Sequence, residues 1–525
     1  MNAFRKRPLI RRFPQIVLCI LLSSALLLSS GCQLLLPKDD RSAASDETNE
    51  DQDSSDKTDE RKKEETDRKS NQSYNSEEAK RAVYTMDLTL DTDAHSIGGS
   101  LTVDVTNYSE DDWDLLCFRD YPSLFTKDYE FAGPLDGEIS EISNIRDKDN
   151  DDELGMERSQ EDVSVFYVEL EDDIEPGETR HISMEFVSYV PELADRFGYV
   201  NDTYNLSNFY PILAVYEDGD WVAHPYVYMG ECFYSLVADY HVTFNIPSDM
   251  TLACSGEETK LDDGEWSVYA TEVRDISAVI AEGFEVVTGE IDGVAVNCYY
   301  TEDKEWAEIA VDVGIRSIEA FSEAFGPYPY PEIDIIQTEL FSGGMEYPSI
   351  ILIYKDFEAN PDPGATLSIV VAHEIAHQWF YSLVGDDQYD EAWLDESFAS
   401  YAEYVYMETY MDEDKVAARV SGMQDVWMGG SDFNVRYDEL QLNRSYDDFP
   451  DDNSYVLTVY KYGQVFLYRL REAMGEEDFT AMMKAYVKEF SHKVATSEDF
   501  VEYVHIYAGD DDEVEKLLEI FLSGV

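Results

Sequence analysis

Positive charge is what this sequence has least of. Lys and Arg total 38 against 112 Asp and Glu, a formal net charge of −74. A chain so short of cations cannot bind nucleic acid by neutralising phosphates, and it is repelled by anionic membrane surfaces unless something tethers it there. Cysteine is also sparse, with six in 525 residues. Cys19 and Cys32 fall near the start, and Cys117, Cys232, Cys254 and Cys298 are scattered with no CxxC pair, so neither a disulfide framework nor a cysteine metal site is indicated. No apolar run is long enough for a confident membrane span. No repeat of 20–50 residues is apparent, which argues against a solenoid or propeller. The acidic run Asp147-Lys-Asp-Asn-Asp-Asp152 does not have the EF-hand pattern, because Asp152 stands where a Gly is needed and Arg158 where a Glu is needed. It reads as a solvated turn.

What is present divides the chain. Residues 1–31 carry Arg5, Lys6, Arg7, Arg11 and Arg12, then an apolar run from Ile16 to Leu28, then Ser29-Ser30-Gly31-Cys32. A basic start, about a dozen apolar residues and a small-residue boundary describe a secretory signal. Its Gly-Cys ending resembles a bacterial lipoprotein signal, which implies cleavage before Cys32, a lipid on that cysteine and attachment to the outer face of the cell membrane. Residues 32–80 are nearly all charged or polar and read as a disordered acidic tether.

The rest has composition for sizeable cores, with 44% hydrophobic and 13% aromatic residues. Over 81–289 short alternating runs recur between turn residues, such as Tyr84-Thr-Met-Asp-Leu-Thr-Leu90 and Tyr240-His-Val-Thr-Phe-Asn-Ile246. Period-two alternation predicts an antiparallel β domain. Over 290–525 the pattern changes to helices with a few strands. Helices are expected at 302–325, 365–383, 393–410, 454–474 and 480–490, strands at 333–339 and 349–353, and a capping box at Thr496 and Asp499. The fold class is therefore multidomain α+β, an N-terminal antiparallel β domain followed by a mainly helical domain with a small sheet.

Chemistry concentrates in Val370-Val-Ala-His373-Glu374-Ile-Ala-His377. Two His at i and i+4 on a helix share one face and can reach one tetrahedral metal. Glu374, beside the first His, is placed to touch a metal-held water. With eight His in the chain, chance is a poor account of this motif. A third ligand is needed, and Glu396 opens the next helix, nineteen residues beyond His377. His373, His377 and Glu396 make a His₂Glu set for one Zn²⁺ with a position left for substrate. Glu403, two turns further on, could accept from a ligand His or simply sit on an acidic surface.

His373-Glu-x-x-His377, eighteen residues and Glu396 together resemble the gluzincin metallopeptidases, and most closely their aminopeptidase N-like family. Gly343-Gly344-Met345-Glu346-Tyr347-Pro348 is similar to that family's Gly-x-Met-Glu-Asn strand, and Val459-Tyr460-Lys461-Tyr462-Gly463 to its Val-Tyr-Glu-Lys-Gly run. The resemblance implies a thermolysin-like catalytic domain and a zinc aminopeptidase acting on peptides with a free N-terminus. In it Glu374 is the general base, Tyr460 donates to the oxyanion, Glu346 pairs with the substrate's α-ammonium, and Gly343, Gly344 and Met345 line the substrate. Tyr347 and Asp395 stand where the family has Asn. The chain runs about 65 residues beyond Tyr460, too few for the large C-terminal helical domain of longer members, so a more open cleft is expected. The β domain's contribution to the amine site is not marked by any motif; Glu231 is the candidate. An endopeptidase of the same zinc class and a non-catalytic peptide-binding surface protein remain as alternatives, as does a cytoplasmic peptidase should the N-terminus prove not to be a signal.

Overall fold

The computed structural model describes residues 81–125, 139–227, 230–341, 343–427 and 441–522. The signal at 1–31 and the tether at 32–80 lie outside these residues. Contacts divide the chain into Met1–Tyr74 and Asn75–Val525, and every described residue lies in the second unit.

The β region forms where the alternation predicts it. In Ala82–Asp91, Tyr84, Met86, Leu88 and Leu90 are buried while Thr85, Asp87 and Thr89 are exposed. A strand's two faces separate residues by parity, so one face enters the core. This strand lies inside an eight-stranded sheet, in the order Glu257–Asp262, Glu265–Val273, Ala238–Asn245, Ala82–Asp91, Ser96–Thr106, Thr179–Tyr189, Ser140–Asp147 and Asp152–Glu153. Two four-stranded sheets complete the layers. The strands of this region pair antiparallel as expected, except that Ala82–Asp91 runs parallel to Ala238–Asn245, with Tyr84 opposite Tyr240. Strands so distant in sequence are not bound by hairpin geometry. The run 147–152 is a tight turn between two strands, with Asp147 accepting from the backbone of Asp149 and Asn150. Cys117, Cys232, Cys254 and Cys298 are buried free thiols.

The expected boundary at 289/290 falls within the strand Glu285–Ile291. That strand forms a hairpin with Val294–Tyr300 and belongs to the second sheet, ordered Glu285–Ile291, Val294–Tyr300, Glu332–Thr338, Ile350–Tyr354 and Gly344–Met345. The three central strands pair in parallel, and Gly344–Met345 closes the edge antiparallel to Ile353 and Leu352. One hydrophobic core runs from Leu101 and Phe186 in the β region to Tyr347 and to Ile350 and Leu352 in the second sheet.

Nine α-helices are described: α1 (Lys304–Phe325), α2 (Thr366–Ala376), α3 (Trp393–Tyr410), α4 (Glu413–Trp427), α5 (Asp452–Val456), α6 (Gly463–Met474), α7 (Glu476–Glu489), α8 (Ser497–Ala508) and α9 (Asp512–Phe521). The capping box at Thr496 and Asp499 opens α8. Among the described residues no helix is long and apolar enough to cross a membrane.

Two helices differ from the sequence expectation. The helix expected over 365–383 stops at Ala376, after which the chain turns. Tyr381 adopts φ 103°, a costly conformation for an aromatic residue, while its phenol donates to buried Asp275 at 2.8 Å. The helix expected over 454–474 is interrupted at Leu457–Tyr462 by a π-helical turn. Both interruptions lie beside the site.

Candidate active site

Helix α2 is apolar on nearly every face, with Leu367, Ile369, Val370, Val371, Ala372, Ile375 and Ala376 all buried. It is thus an interior helix, and its polar residues are buried with it. His373 and His377 project from its C-terminal end. The turn after α2 sends the chain out through 386–391 and back into α3, whose first turn carries Asp395 and Glu396. His373 Nε2 lies 3.2 Å and His377 Nε2 3.6 Å from Glu396 Oε2. The ligand atoms of His373, His377 and Glu396 all lie within 4.8 Å of one another.

The far nitrogen of each imidazole is held by a carboxylate. His373 Nδ1 meets Glu403 Oε1 at 3.0 Å, and His377 Nδ1 makes a short hydrogen bond to Asp395. A neutral imidazole with Nδ1–H so committed would turn its Nε2 lone pair to a metal at the common centre, the state a metal ligand requires. Two imidazole nitrogens and one carboxylate oxygen with carboxylate support behind are the donor chemistry of zinc, so the residues fit the ion. Glu396 is held well below the usual carboxylate range: burial opposes this, but hydrogen bonds from His373 and His377 outweigh it.

Glu374 is 6% exposed. Burial raises its pKa to about 7, with the neighbouring His373 and His377 pulling it back. The edge strand crosses directly over it. A Cβ on Gly344 would stand 2.4 Å from Glu374 Oε1, so a larger residue there would push that carboxylate from its place. Glu346, the residue after this strand, is 4% exposed, and its Oε1 has no hydrogen-bond partner. Burial foremost, then the charges of Glu231, Glu374 and Asp395, drive its pKa far up, with His377 acting against them. Tyr460 sits in the π-helical turn and donates to Glu396 Oε1. That turn is anchored by Ser397 Oγ donating to Val459 O at 2.5 Å. An added backbone residue in a helix re-aims a side chain, and such turns gather at functional sites.

Glu231, the candidate from the β region, lies in the same cleft. Its carboxylate is bound by Arg196 and senses the charges of Glu396 and Asp395; burial, the leading cause, raises its pKa to about 7. Met345 Sδ lies 3.8 Å from Arg196 Nη1. Tyr347 turns away from the cleft, fully buried, and its phenol donates to Asn208 at 3.3 Å.

Three residues of this site carry no role that the sequence assigned. Asp395 stood out there only as a replacement for Asn, and the structure makes it the acceptor for His377. Gln378 is buried, accepts from Ser349 N at 2.8 Å and donates to the carbonyls of Glu346 and Tyr347 at 3.3 and 3.2 Å, which fixes the segment carrying Glu346. A polar residue in the apolar stretch after His377 was the available signal. Arg196 gave no sequence signal at all.

Residues 309–521 match the Peptidase family M1 domain. Aminopeptidase M1 of Arabidopsis thaliana is 25% identical over 307 residues, covering 54% of this chain and 33% of that protein. Aminopeptidase N of Lactococcus lactis subsp. lactis is 29% identical over 223 residues, covering 38% of this chain and 25% of that protein. The aligned part thus spans about a third or less of these relatives. The M1 zinc metallopeptidase from Deinococcus radiodurans has the same fold, with a TM-score of 0.60 at 18% identity over 85% of this chain and 94% of that one. A mutant two-domain M1 zinc metallopeptidase bound to L-arginine superposes with a TM-score of 0.61 at 18% identity, covering 85% of this chain and 95% of that one. Residues 309–521 thus match the Peptidase family M1 domain, and the described chain has the fold of the M1 zinc metallopeptidases of known structure.

Proposed function

We propose that this protein is a zinc-dependent aminopeptidase that removes N-terminal residues from peptides. The observation that carries the reading is Glu346: a buried carboxylate with an unpartnered oxygen, in the cleft where the Gly344 backbone crosses Glu374. A buried acceptor without a donor is costly, and a substrate α-ammonium supplies the donor and the opposite charge together. Anchoring the N-terminus there leaves the first peptide bond to reach the zinc centre.

His373, His377 and Glu396 would hold the zinc, which when bound would supply Lewis acidity at the scissile carbonyl and the attacking water. Glu374 accepts the proton of that water and passes it to the departing amine. The Tyr460 phenol, aimed at the same centre, donates to the oxyanion as charge develops. Gly343 and Gly344 offer backbone to an extended peptide at the open edge of the sheet. Glu231 faces the same α-ammonium from the β region. Asp395 and Glu403 keep both imidazoles in register.

The test compares a free-amine peptide with its N-acetylated twin, using full-length protein of assayed zinc content and following products by mass spectrometry. Stepwise loss of single N-terminal residues from the free form alone is expected. Internal cuts in both forms would make the protein an endopeptidase, and zinc binding with no cleavage would make it a peptide-binding protein.

The proposed location is the outer face of the cell membrane, held by a lipid on Cys32. Its support is the basic, apolar, Gly31-Cys32 pattern of the N-terminus. Replacement of Cys32 by Ala is expected to move the protein from the membrane to the soluble fraction; an unchanged distribution would refute the anchor.

A further inference from the structure

Glu231 enters the cleft with its charge already answered. Arg196 Nη1 lies 3.0 Å from both of its carboxylate oxygens, and the two side chains are only 9% and 13% exposed. Arg196 Nη2 donates to the Tyr226 hydroxyl at 3.0 Å. The guanidinium carbon stands 4.8 Å from the centre of the Phe233 ring and 5.7 Å from that of Tyr226. A guanidinium between aromatic rings and a carboxylate has little freedom to turn.

The backbone behind it is fixed too. Asp195 Oδ1 accepts from Arg196 N at 2.7 Å. Asn205 Nδ2 donates to the carbonyls of Asp195 and Glu339 at 2.9 and 3.0 Å, and Asn205 Oδ1 accepts from Thr338 Oγ1 at 2.8 Å. Thr338 ends the central strand of the catalytic sheet. Arg196 is therefore braced against the sheet whose edge strand leads into Glu346.

The need for such a brace follows from charge. Arg196 Nη1 lies 3.8 Å from Sδ of Met345, the residue before Glu346, and buried Glu346 feels the charge of Glu231 while Glu231 feels those of Glu396 and Asp395; carboxylates so placed repel one another. Left alone, Glu231 would turn away or lose its charge, and a buried carboxylate stripped of its partner is strongly destabilised. We infer that Arg196 is a positioning residue for substrate binding, holding the Glu231 carboxylate beside Glu346 so that the α-ammonium meets two acids at a fixed separation. This rests on the aminopeptidase reading and adds to it a residue that touches no substrate.

The experiment measures kcat and KM of the full-length, zinc-loaded protein on an aminoacyl 4-nitroanilide, together with cleavage of an N-acetylated peptide, for wild type, Glu231→Gln, Arg196→Met, Arg196→Lys and the Glu231→Gln/Arg196→Met double variant. Arg196→Met is expected to raise KM about 10- to 100-fold with kcat within about threefold, on the scale of a lost buried charge partner. Arg196→Lys is expected to fall between wild type and Met, because Lys restores the charge without the planar fork. The double variant is expected to match Glu231→Gln, since Arg196 acts through Glu231. Unchanged KM in a folded Arg196→Met protein, or a loss confined to kcat, would overturn the inference. Should Arg196→Met fail to fold, wild-type KM in both Glu231→Gln and Arg196→Lys would overturn it equally. Cleavage of the acetylated peptide by wild type would instead remove the aminopeptidase reading itself, whereas trimming of free-amine substrates alone with no response at Glu231 or Arg196 removes only this inference.

Discussion

The β region and the region of the metal-ligating set both bury carboxylates, and they partner them differently. In the β region Asp147 is matched by Arg180 at 2.8 Å and Asp120 by Arg158 at 2.8 Å, while Asp275 meets Asn208 and the Tyr381 phenol. In the catalytic region Glu396 meets two imidazoles and a phenol, Asp395 meets His377 and Gln388, and Glu346 keeps one oxygen without a partner. Paired charges hold sheets together. These acids face imidazole, phenol and amide groups, an arrangement that on the proposed reading serves a metal ion and a substrate ammonium. Glu231 with Arg196 stands where the two regions meet.

The largest expected effect breaks the chemistry and spares the fold. Glu374→Gln should lower kcat about 10³- to 10⁴-fold with zinc content and melting temperature unchanged, since a general base is lost and no ligand is touched. Steady-state kinetics with metal analysis check this, and loss of zinc in the variant would show that Glu374 belongs to the ligand set. The opposite outcome is expected in the β region. Arg180→Met leaves Asp147 buried and unpaired, so it should destabilise the protein by about 3–5 kcal/mol in urea unfolding while the folded fraction keeps its kcat. A smaller loss would mean that the sheet relaxes to admit water.

Tyr460→Phe removes one donor and should cost about 10²- to 10³-fold in kcat with KM little changed. A full-activity variant would return Tyr460 to a packing role beside Glu396. Asp395→Asn should weaken zinc binding about 10- to 100-fold in chelator competition, because a neutral amide supports His377 less than a carboxylate does. Equal affinity would show that the short bond to Asp395 contributes only geometry.

The smallest effect lies between the regions. His224 Nε2 meets Asp387 at 2.7 Å and joins the β region to the loop leading into α3. Burial lowers the pKa of His224, but the hydrogen bond and charge of Asp387, with that of Asp390, outweigh it and leave the value raised. A His with a raised folded pKa stabilises fully below its unfolded value of about 6.5, and the contribution fades as pH rises through the folded value. His224→Gln should therefore lower the melting temperature more at pH 6 than at pH 9, by no more than about 1 kcal/mol in stability. A pH-independent difference would leave only packing on Tyr389, on which the ring stacks at 4.6 Å.

How much was legible from the chain depended on distance along it. The pair His373 and His377 is set by one helical turn, and Glu403 lies seven residues beyond Glu396 on one helix face, so both relations are written in local spacing. The structure brings Glu396 to the two histidines and Tyr460 to Glu396, which the motifs anticipated, although the helix through His377 proved shorter and the one through Tyr460 wound differently. Tyr381 takes positive φ where a buried acid accepts its phenol, and the π-helical turn is held where Ser397 donates to Val459 O. Neither partner is near in sequence, so periodicity could not register them.

By itself the sequence determined the elements and the chemistry. Alternation set the strands, apolar composition set an interior helix, and HExxH with a distant Glu set a metal-binding centre, because each depends on residues a few positions apart. Tertiary structure decided which carboxylates are neutralised and which are left open. It set Arg196 on Glu231, Asp395 on His377 and the Gly344 backbone over Glu374. Those contacts depend on desolvation and charge from segments that meet only when the chain is folded, and they are what turns a set of ligands into a site with an orientation.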